Sequence, residues 1–484
     1  MPQFVPSKGS LHATDLPLCV DLDGTLLRSD LFLESIAGLL SRNLLWLFLL
    51  PLWLLRGKAW MKAKIAAKVD LDVETLPYHT QLLDFLVEEK ERGRYLVLTT
   101  ATNQKYAHQV AQFLGLFSEV IASDKTSNNA GAQKHDGLVN RYGLKGFDYA
   151  GNSRADLCVW ASANHAIVVD SWGQVRKHLL QQHPNATVFD SNRRRIKDYI
   201  AALRPHQWSK NILLFAPLVA AHQSTEIKIL SDALIGFIAF CLCASAIYVI
   251  NDIIDLPADR KSTTKNGRPF ATGAIPISDG LYLSPLLLLI GGSLSLLLPT
   301  AFTGTLLIYI ASTIAYSLCF KKLMFVDVVF LAGLYCLRLF AGGFLTGIDI
   351  SFWLIAFSLF LFLSLAILKR YTEIQSSELS DTDFLPGRDY QVQDRKVLQQ
   401  FGITSGMISI VVMGLYINSD TIIQLYNYPS LVWLICPLAL YWLGRVWILA
   451  GRGCLPEDPV LFAVKDPVSY LLAGLALVVL WMAT

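Results

Sequence analysis

The chain has 484 residues, of which 53% are hydrophobic and 16% charged, with a mean hydropathy of +0.44. Soluble domains carry about 25% charged residues, so this composition excludes a disordered or fibrous chain and predicts a membrane protein. A net charge of +3, from 41 Lys+Arg against 38 Asp+Glu, leaves no dominant basic surface and argues against a nucleic-acid partner. The 8 cysteines form no C-x-x-C pair and read as small buried apolar side chains.

The N-terminus has no apolar run of signal-peptide type, which leaves the first domain in the cytosol. Over residues 1–190 the β-rich runs LCVDLDGT, YLVLTTAT, FDYAGNS and AIVVD alternate with helical stretches. That alternation predicts an N-terminal α/β domain with a parallel sheet. The insert near 31–68 contains LLWLFLLPLWLL (44–55), followed by Arg56, Lys58, Lys62, Lys64 and Lys68. It is too short to span a bilayer. It reads either as a helix lying among lipid headgroups or as one buried against protein.

Chemistry in this half centres on Asp21-Leu22-Asp23-Gly24-Thr25, directly after the first predicted strand. Two aspartates at a strand end can divide the work on a phosphate ester, one attacking phosphorus and one handling a proton. Further along stand Thr100, ending the strand YLVLTT, then Lys134, and then Gly151-Asn152-Ser153-Arg154-Ala155-Asp156. This series resembles the haloacid dehalogenase-like hydrolases over residues 16–175. The resemblance implies a Rossmann-like fold, Asp21 as nucleophile, Asp23 as general acid/base, Thr100 and Lys134 as phosphate holders, and Asp156 as a ligand of Mg2+. Asp21, Asp23 and Asn152 would complete the metal shell, although Asn152 stands where that family usually has Asp. Lys145 is a weaker candidate for the lysine role.

A basic linker (191–207) carrying Arg193, Arg194, Arg195 and Lys197 reads as lying at a membrane surface. From 208 to 484 the chain predicts an all-α multi-pass domain of nine transmembrane helices, at 208–222, 232–250, 281–299, 301–319, 324–346, 352–368, 402–418, 430–450 and 467–483. Lys and Arg crowd the loops after even-numbered spans, whereas Lys228 alone occupies the others. The positive-inside rule then predicts a bacterial-type cytoplasmic membrane protein with its N-terminal domain inside and its C-terminus outside.

The second expected span ends in Asn251-Asp252-Ile253-Ile254-Asp255-Leu256-Pro257-Ala258-Asp259-Arg260. A helical path places Asn251, Asp255 and Asp259 on one side, and acidic groups where a span meets water call for a cation. Mg2+ carrying a diphosphate meets that need, with Lys261, Lys265 and Arg268 as further phosphate ligands. This N-D-x-x-D-x-x-x-D pattern, with Arg268-Pro269 and Gly273, resembles the UbiA-type polyprenyl transferase superfamily over residues 200–484. There the motif's asparagine and aspartates, here Asn251, Asp252, Asp255 and Asp259, hold a magnesium-diphosphate.

Quinone-type members of the superfamily usually carry a second D-x-x-x-D after the fourth span. Here Tyr316 and Lys321 lead to Asp327, with Leu331 four residues on. Arg338 lies eleven residues beyond Asp327, about 16 Å along a helix, and is expected to line the interior and pair with an anion. Lys369 and Arg370 end the sixth span. Together with Arg204-Pro205-His206-Gln207-Trp208-Ser209-Lys210-Asn211, these departures resemble the decaprenyl-phosphate phosphoribosyltransferase branch. The resemblance implies a phosphoribosyl diphosphate donor and a polyprenyl phosphate acceptor, with Lys321, Arg338, Lys369 and Arg370 undivided between sugar phosphate and lipid phosphate. The α/β domain would then remove the 5-phosphate of the product. The alternative is an aromatic prenyltransferase of quinone or haem biosynthesis whose first domain is inactive or regulatory. Prenyl length and oligomeric state are not encoded in these motifs.

Overall fold

The computed structural model describes residues 16–43, 45–125, 127–171, 173–190, 194–220, 227–378, 385, 388–419, 426–455 and 458–484. The expectations for residues 1–15, Leu44 and Arg193 lie outside the described residues. Two compact units emerge: Met1–Leu203 with Tyr248–Leu283, and Arg204–Ile247 with Ser284–Thr484. The chain segment bearing the acidic signature is therefore counted with the α/β fold.

The first unit is built on β1 (Leu18–Val20), β2 (Leu96–Asn103), β3 (Glu119–Ser123), β4 (Asp148–Gly151), β5 (Ala166–Val169) and β6 (Thr187–Phe189). They form one sheet in the order β3-β2-β1-β4-β5-β6, with every pair parallel. Strands β1, β4 and β5 are buried at every residue, as a sheet covered on both faces requires. One face packs Leu18, Val20, Leu96, Leu98 and Ile167, the other Cys19, Val97, Tyr149 and Val168. The chain builds outward on one side of β1 and then returns to build on the other, so the sheet reverses order between β1 and β4. Ligands of such sheets bind at the strand C-termini beside that reversal, where Asp21 and Asn152 stand.

Between β1 and β2 lie α1 (Leu31–Arg42), α2 (Trp46–Leu54) and α3 (Lys58–Ala66). Asp30 caps α1 by accepting hydrogen bonds from the amides of Phe32 (2.8 Å) and Leu33 (3.2 Å). Helix α2 buries none of its residues, and Leu47, Phe48, Leu52 and Leu54 are exposed. It packs only one side, through Trp46, Leu50 and Trp53, against the small core of Leu39, Met61, Ile65 and Val69.

Seven helices are long and apolar enough to cross a membrane: Ile227–Ile254, Ile277–Ser295, Thr300–Leu318, Val326–Thr346, Phe352–Ser376, Val392–Ile417 and Pro429–Gly451. An eighth span results if Pro459–Lys465 and Pro467–Ala483, bent by 77°, count as one. Nine spans are thus not found among the described residues. The expected span at 208–222 instead begins as a 3-10 helix, Pro205–Phe215, followed by Ala216–Ala220. Its polar side chains explain the difference. Trp208 donates to Ser245 (3.0 Å) and Asn211 to Cys241 (3.2 Å), and Lys210 pairs with Asp458 (2.7 Å). These partners tie the segment to protein rather than lipid.

Candidate functional sites

In the first unit a cavity of about 520 Å³ opens at the strand C-termini, lined among others by Asp21, Asp23, Lys134, Asn152 and Asp156. Asp21 directly follows β1, and its Oδ1 accepts a hydrogen bond from Lys134 Nζ (2.7 Å). Asp23 accepts from the Leu31 amide (2.8 Å) through Oδ1 and from Thr102 Oγ1 (2.5 Å) through Oδ2. Gly24 makes this turn possible, because its φ is +75° and a Cβ there would come within 2.2 Å of Asn152 Nδ2.

Burial raises both carboxyls. Asp21 moves from 3.8 to about 6, with Lys134 opposing the shift and Asp156 adding to it. Asp23 moves to about 7 through burial and the neighbouring charge of Asp30, against its hydrogen bond from Thr102. Asp23 is raised further than Asp21, the direction in which one carboxylate attacks while the other keeps a proton.

Asp156 is buried and heavily engaged. Its Oδ1 accepts from Tyr149 Oη (2.6 Å), and its Oδ2 from the amide (2.9 Å) and hydroxyl (2.8 Å) of Ser153. Lys134 also donates to Tyr149 Oη (3.1 Å), so Asp156, Tyr149, Lys134 and Asp21 form one hydrogen-bonded chain. Thr100 is fully buried, receives the Thr102 amide (3.0 Å) and is 3.5 Å from Asp23, outside the cavity lining. Thr102 makes the close contact to Asp23 instead. The two threonines share a strand face because strand side chains alternate, a signal that could have brought Thr102 into the sequence reading.

The acidic signature also lies in this unit. Helix Ile227–Ile254 ends one residue before Asp255, which begins Leu256–Lys261. The helical path nonetheless continues, since the Asp255 amide donates to Asn251 (2.8 Å) and the Asp259 amide to Asp255 (2.9 Å). Asp252 and Asp259, two turns apart and so on one face, both accept from Arg268 Nη1, at 3.1 and 2.5 Å. Burial raises the Asp259 carboxyl, and Arg268 and Lys265 draw it back. Asn251 and Asp255 are half-buried.

Two cations of this segment face elsewhere. Lys261, expected on a phosphate, is exposed and pairs with Asp72 (2.8 Å). Two residues of α-helix turn the side chain about 200° from Asp259. Arg260 makes a buried, bidentate contact to Glu34 of α1 (2.8 and 2.6 Å). Gly273, with φ +68°, brings its backbone against Arg28, whose Cβ would lie 2.8 Å from any Cβ added there.

Oxygen donors in both places fit a hard divalent cation. Among the described residues no three His, Cys, Asp or Glu side chains converge as a ligand set. A cation would take at most two carboxylates at either place, with amide, water or phosphate oxygens completing its shell, the usual pattern for Mg2+.

In the second unit Asp327 is fully buried. It accepts from Arg370 Nε (2.6 Å), Tyr390 Oη (2.5 Å) and Arg388 Nη1 (3.3 Å). Arg370 also pairs with Glu373, and Tyr316 receives a bond from Arg370 (3.3 Å). The expected phosphate ligand Arg370 is thus enclosed and neutralised by carboxylates. Arg338 does not pair with an anion among the described residues. Its donors reach Asn211 Oδ1 (2.9 Å), the Leu334 carbonyl (2.6 Å) and Tyr309 Oη (2.9 Å), among the rings of Phe240, Tyr309 and Tyr335. Neutral oxygens and aromatic faces solvate this guanidinium. Lys321 and Lys369 are half-buried.

An apolar cavity of about 640 Å³ lies in the same unit, lined by Phe215, Phe357, Tyr416 and Trp442, with Lys210 as its charged lining residue. Sequence reasoning singled out neither Asp458, Arg388 nor Tyr390 as partners, since each is remote in sequence from the group it meets; Glu373, three residues from Arg370, was within reach of helical spacing.

Residues 212–462, just over half of the chain, match the model of the UbiA prenyltransferase family. Uncharacterized protein y4nM of Sinorhizobium fredii is 34% identical over 465 residues, covering 95% of this chain and 89% of that one. The α/β and helical parts therefore occur together there as well. Nodulation protein NoeC of Azorhizobium caulinodans is 29% identical over 283 residues, 58% of this chain and 91% of that protein. Decaprenyl-phosphate phosphoribosyltransferase of Corynebacterium glutamicum is 34% identical over 208 residues, 41% of this chain and 63% of that enzyme. This chain is a multi-pass membrane protein that belongs to the UbiA prenyltransferase family and is distantly related to decaprenyl-phosphate phosphoribosyltransferases.

Proposed function

We propose that the protein transfers 5-phosphoribose from phosphoribosyl diphosphate to a polyprenyl phosphate, and that its α/β domain, a haloacid dehalogenase-like phosphatase, then removes the 5-phosphate. The observation that carries the transfer step is the convergence of Asp252 and Asp259 on one nitrogen of Arg268. Two carboxylates that share one cationic atom are spaced to share one Mg2+ with a diphosphate. Asn251, through its amide oxygen, would be a further ligand, and Asp255 would act on the ion through water. Bound there, Mg2+ would neutralise the departing diphosphate.

Arg268 and Lys265 would hold diphosphate oxygens, Arg268 exchanging its carboxylate partners for phosphate. A lipid phosphate oxygen attacks the anomeric carbon as the diphosphate leaves, through an oxocarbenium-like state that nearby carboxylates favour. The apolar cavity beside Lys210 suits a polyprenyl chain. The exposed apolar face of α2, with Arg56, Lys58 and Lys64 following, suits contact with a bilayer. In the inner membrane of a bacterium this reading puts the N-terminal domain on the cytoplasmic side with the basic loops and the C-terminus outside. That requires residues 205–220 to carry the chain across ahead of the seven long helices and Pro467–Ala483 to make the last crossing.

For the second step, Asp21 attacks the phosphorus of the 5-phosphate while Lys134 holds a phosphate oxygen. Asp23 gives its proton to the departing 5-hydroxyl oxygen and later takes one from the water that releases phosphate from Asp21. Asp21, Asp23 and Asn152 would hold Mg2+ here; Asp156, expected as a ligand, has both oxygens taken by Tyr149 and Ser153 and would instead set Lys134 and Tyr149 in place.

Full-length protein supplied with phosphoribosyl diphosphate, polyprenyl phosphate and Mg2+ should yield the dephosphorylated ribosyl lipid. Asp21→Asn should accumulate the phosphorylated lipid instead. Transfer from an allylic diphosphate to 4-hydroxybenzoate, with none from phosphoribosyl diphosphate, would replace this reading with the aromatic prenyltransferase.

A further inference from the structure

The cavity around Asp21 is larger than one phosphate needs; at about 520 Å³ it is within the range that encloses whole small molecules. Besides Arg28 and Arg194, its cations fall into two groups. Lys134 is committed to Asp21, the reacting end. On the side formed by the inserted helices, Lys58 and Lys62 also line the cavity.

These two lysines are four residues apart on α3, hence on one face, and both ammonium groups stand over the Phe32 ring, at 5.9 and 5.7 Å. Lys62 is more than nine-tenths buried. Its hydrogen bonds go to neutral acceptors, the Ala101 carbonyl (2.5 Å) and Asn128 Oδ1 (3.3 Å). Asp30 lines the same side, but its carboxylate caps α1. Arg194, also on the rim, is paired with Asp279 (3.3 Å). The charges of Asp23 and Asp30 act on Lys62 from nearby, but its direct partners are neutral oxygens, and burying an ammonium without a bonded anion is costly.

We propose that Lys58 and Lys62 form a second anion subsite, so that the cavity takes a phosphomonoester carrying a second, esterified phosphate. The reacting phosphate sits at Asp21 and Lys134, and the phosphodiester at α3. This inference rests on the phosphatase reading above and adds to it the substrate feature that the domain recognises. A sugar 5-phosphate joined through its anomeric oxygen to a phosphodiester has the two groups required, whereas a plain sugar phosphate has one.

The test uses full-length protein with Mg2+ and two probes, ribose 5-phosphate and its anomeric methyl phosphodiester. Phosphate release should favour the diester-bearing probe by about 10- to 100-fold in kcat/KM, the range for a hydrogen-bonded charged contact. That ratio should fall toward one in Lys58→Ala and Lys62→Gln and survive in Lys58→Arg. Lys58 is exposed, so its variants report even if the Lys62 variant fails to fold. Equal turnover of both probes by the unaltered protein, or equal losses on both probes in the variants, overturns the subsite. Binding of the probes to Asp21→Asn, measured by calorimetry, separates the two readings. A binding preference without phosphate release from the unaltered protein leaves the subsite standing and defeats the phosphatase; no preference in binding defeats the subsite alone.

Discussion

Two acid–arginine clusters in this chain have nearly the same composition and opposite character. Asp252 and Asp259 meet Arg268, whose side chain is 25% exposed. Asp327 meets Arg370 with both side chains at 0%, sealed further by Tyr390 and Arg388. In the first, water reaches the cation, and a ligand can replace it. In the second, every oxygen has a donor, and an incoming phosphate would have to displace an ion pair already removed from solvent. A cationic residue near an acidic one is therefore evidence of a binding site only when one of the pair remains open. This distinction divides Arg268, which the proposed transfer uses as a phosphate ligand, from Arg370, which braces the helices Val326–Thr346 and Phe352–Glu378.

The sharpest way to break this contrast is Asp327→Asn. Removing the Asp327 charge leaves Arg370 with Glu373 as its remaining carboxylate and breaks a buried pair, at a cost of up to about 3–5 kcal/mol, and thermal unfolding in detergent should show a large fall in Tm. If Tm is unchanged, the cluster is not the brace described. Asp252→Asn with Asp259→Asn should do the reverse. Transfer should fall by on the order of 100-fold or more, as expected when groups holding a metal are lost, with Tm little changed. A matching collapse in Tm would place this pair with Asp327.

Metal addition sharpens the same comparison. Mg2+ at about 100 times its Kd should stabilise the unaltered protein by about 2.7 kcal/mol. Asp252→Asn with Asp259→Asn should lose a share of that gain, and Asp327→Asn should retain it. Proton linkage offers a gentler test in the α/β domain. Asp21 and Asp23 have folded values of about 6 and about 7 against 3.8 unfolded. Their stabilisation is complete below pH 3.8 and lost as pH rises through 6 and 7. Chelated protein should therefore lose Tm over that window, and Asp23→Asn should flatten the loss. A rise in Tm across the window would contradict the burial of these carboxyls. The smallest effect is expected for Lys261→Ala. Its pair with Asp72 is on the surface, so neither Tm nor transfer should move measurably; a clear loss of transfer would return Lys261 to the site.

Much of the chemistry was legible in local spacing. A carboxylate pair after a strand, and acidic residues repeating at helical intervals where an apolar run ends, are patterns that neighbouring residues suffice to create. Asp21 with Asp23 and Asp252 with Asp259 follow from such patterns, whereas Lys134, 113 residues from Asp21, entered only through the family resemblance. Partners from distant segments were not legible. Thr102 reaches Asp23 more closely than Thr100 does, Glu34 takes Arg260, and Asp72 takes Lys261, because each depends on which face a neighbouring element presents. The segment 208–222 carries the same lesson: its apolar content predicted a span, but Trp208, Lys210 and Asn211 found polar partners and wound it into a shorter 3-10 helix.

By itself the sequence determined the alternation that makes a parallel α/β sheet, the apolar lengths that make membrane helices, and the acidic motifs that call for a cation. Each is a property of residues near one another along the chain, where strand and helix periodicity convert spacing into shared faces. Tertiary structure alone decided which charges stay open and which are consumed. Whether an arginine binds a ligand or braces a core depends on the carboxylates and aromatic rings brought to it from elsewhere, and on whether water can still reach it.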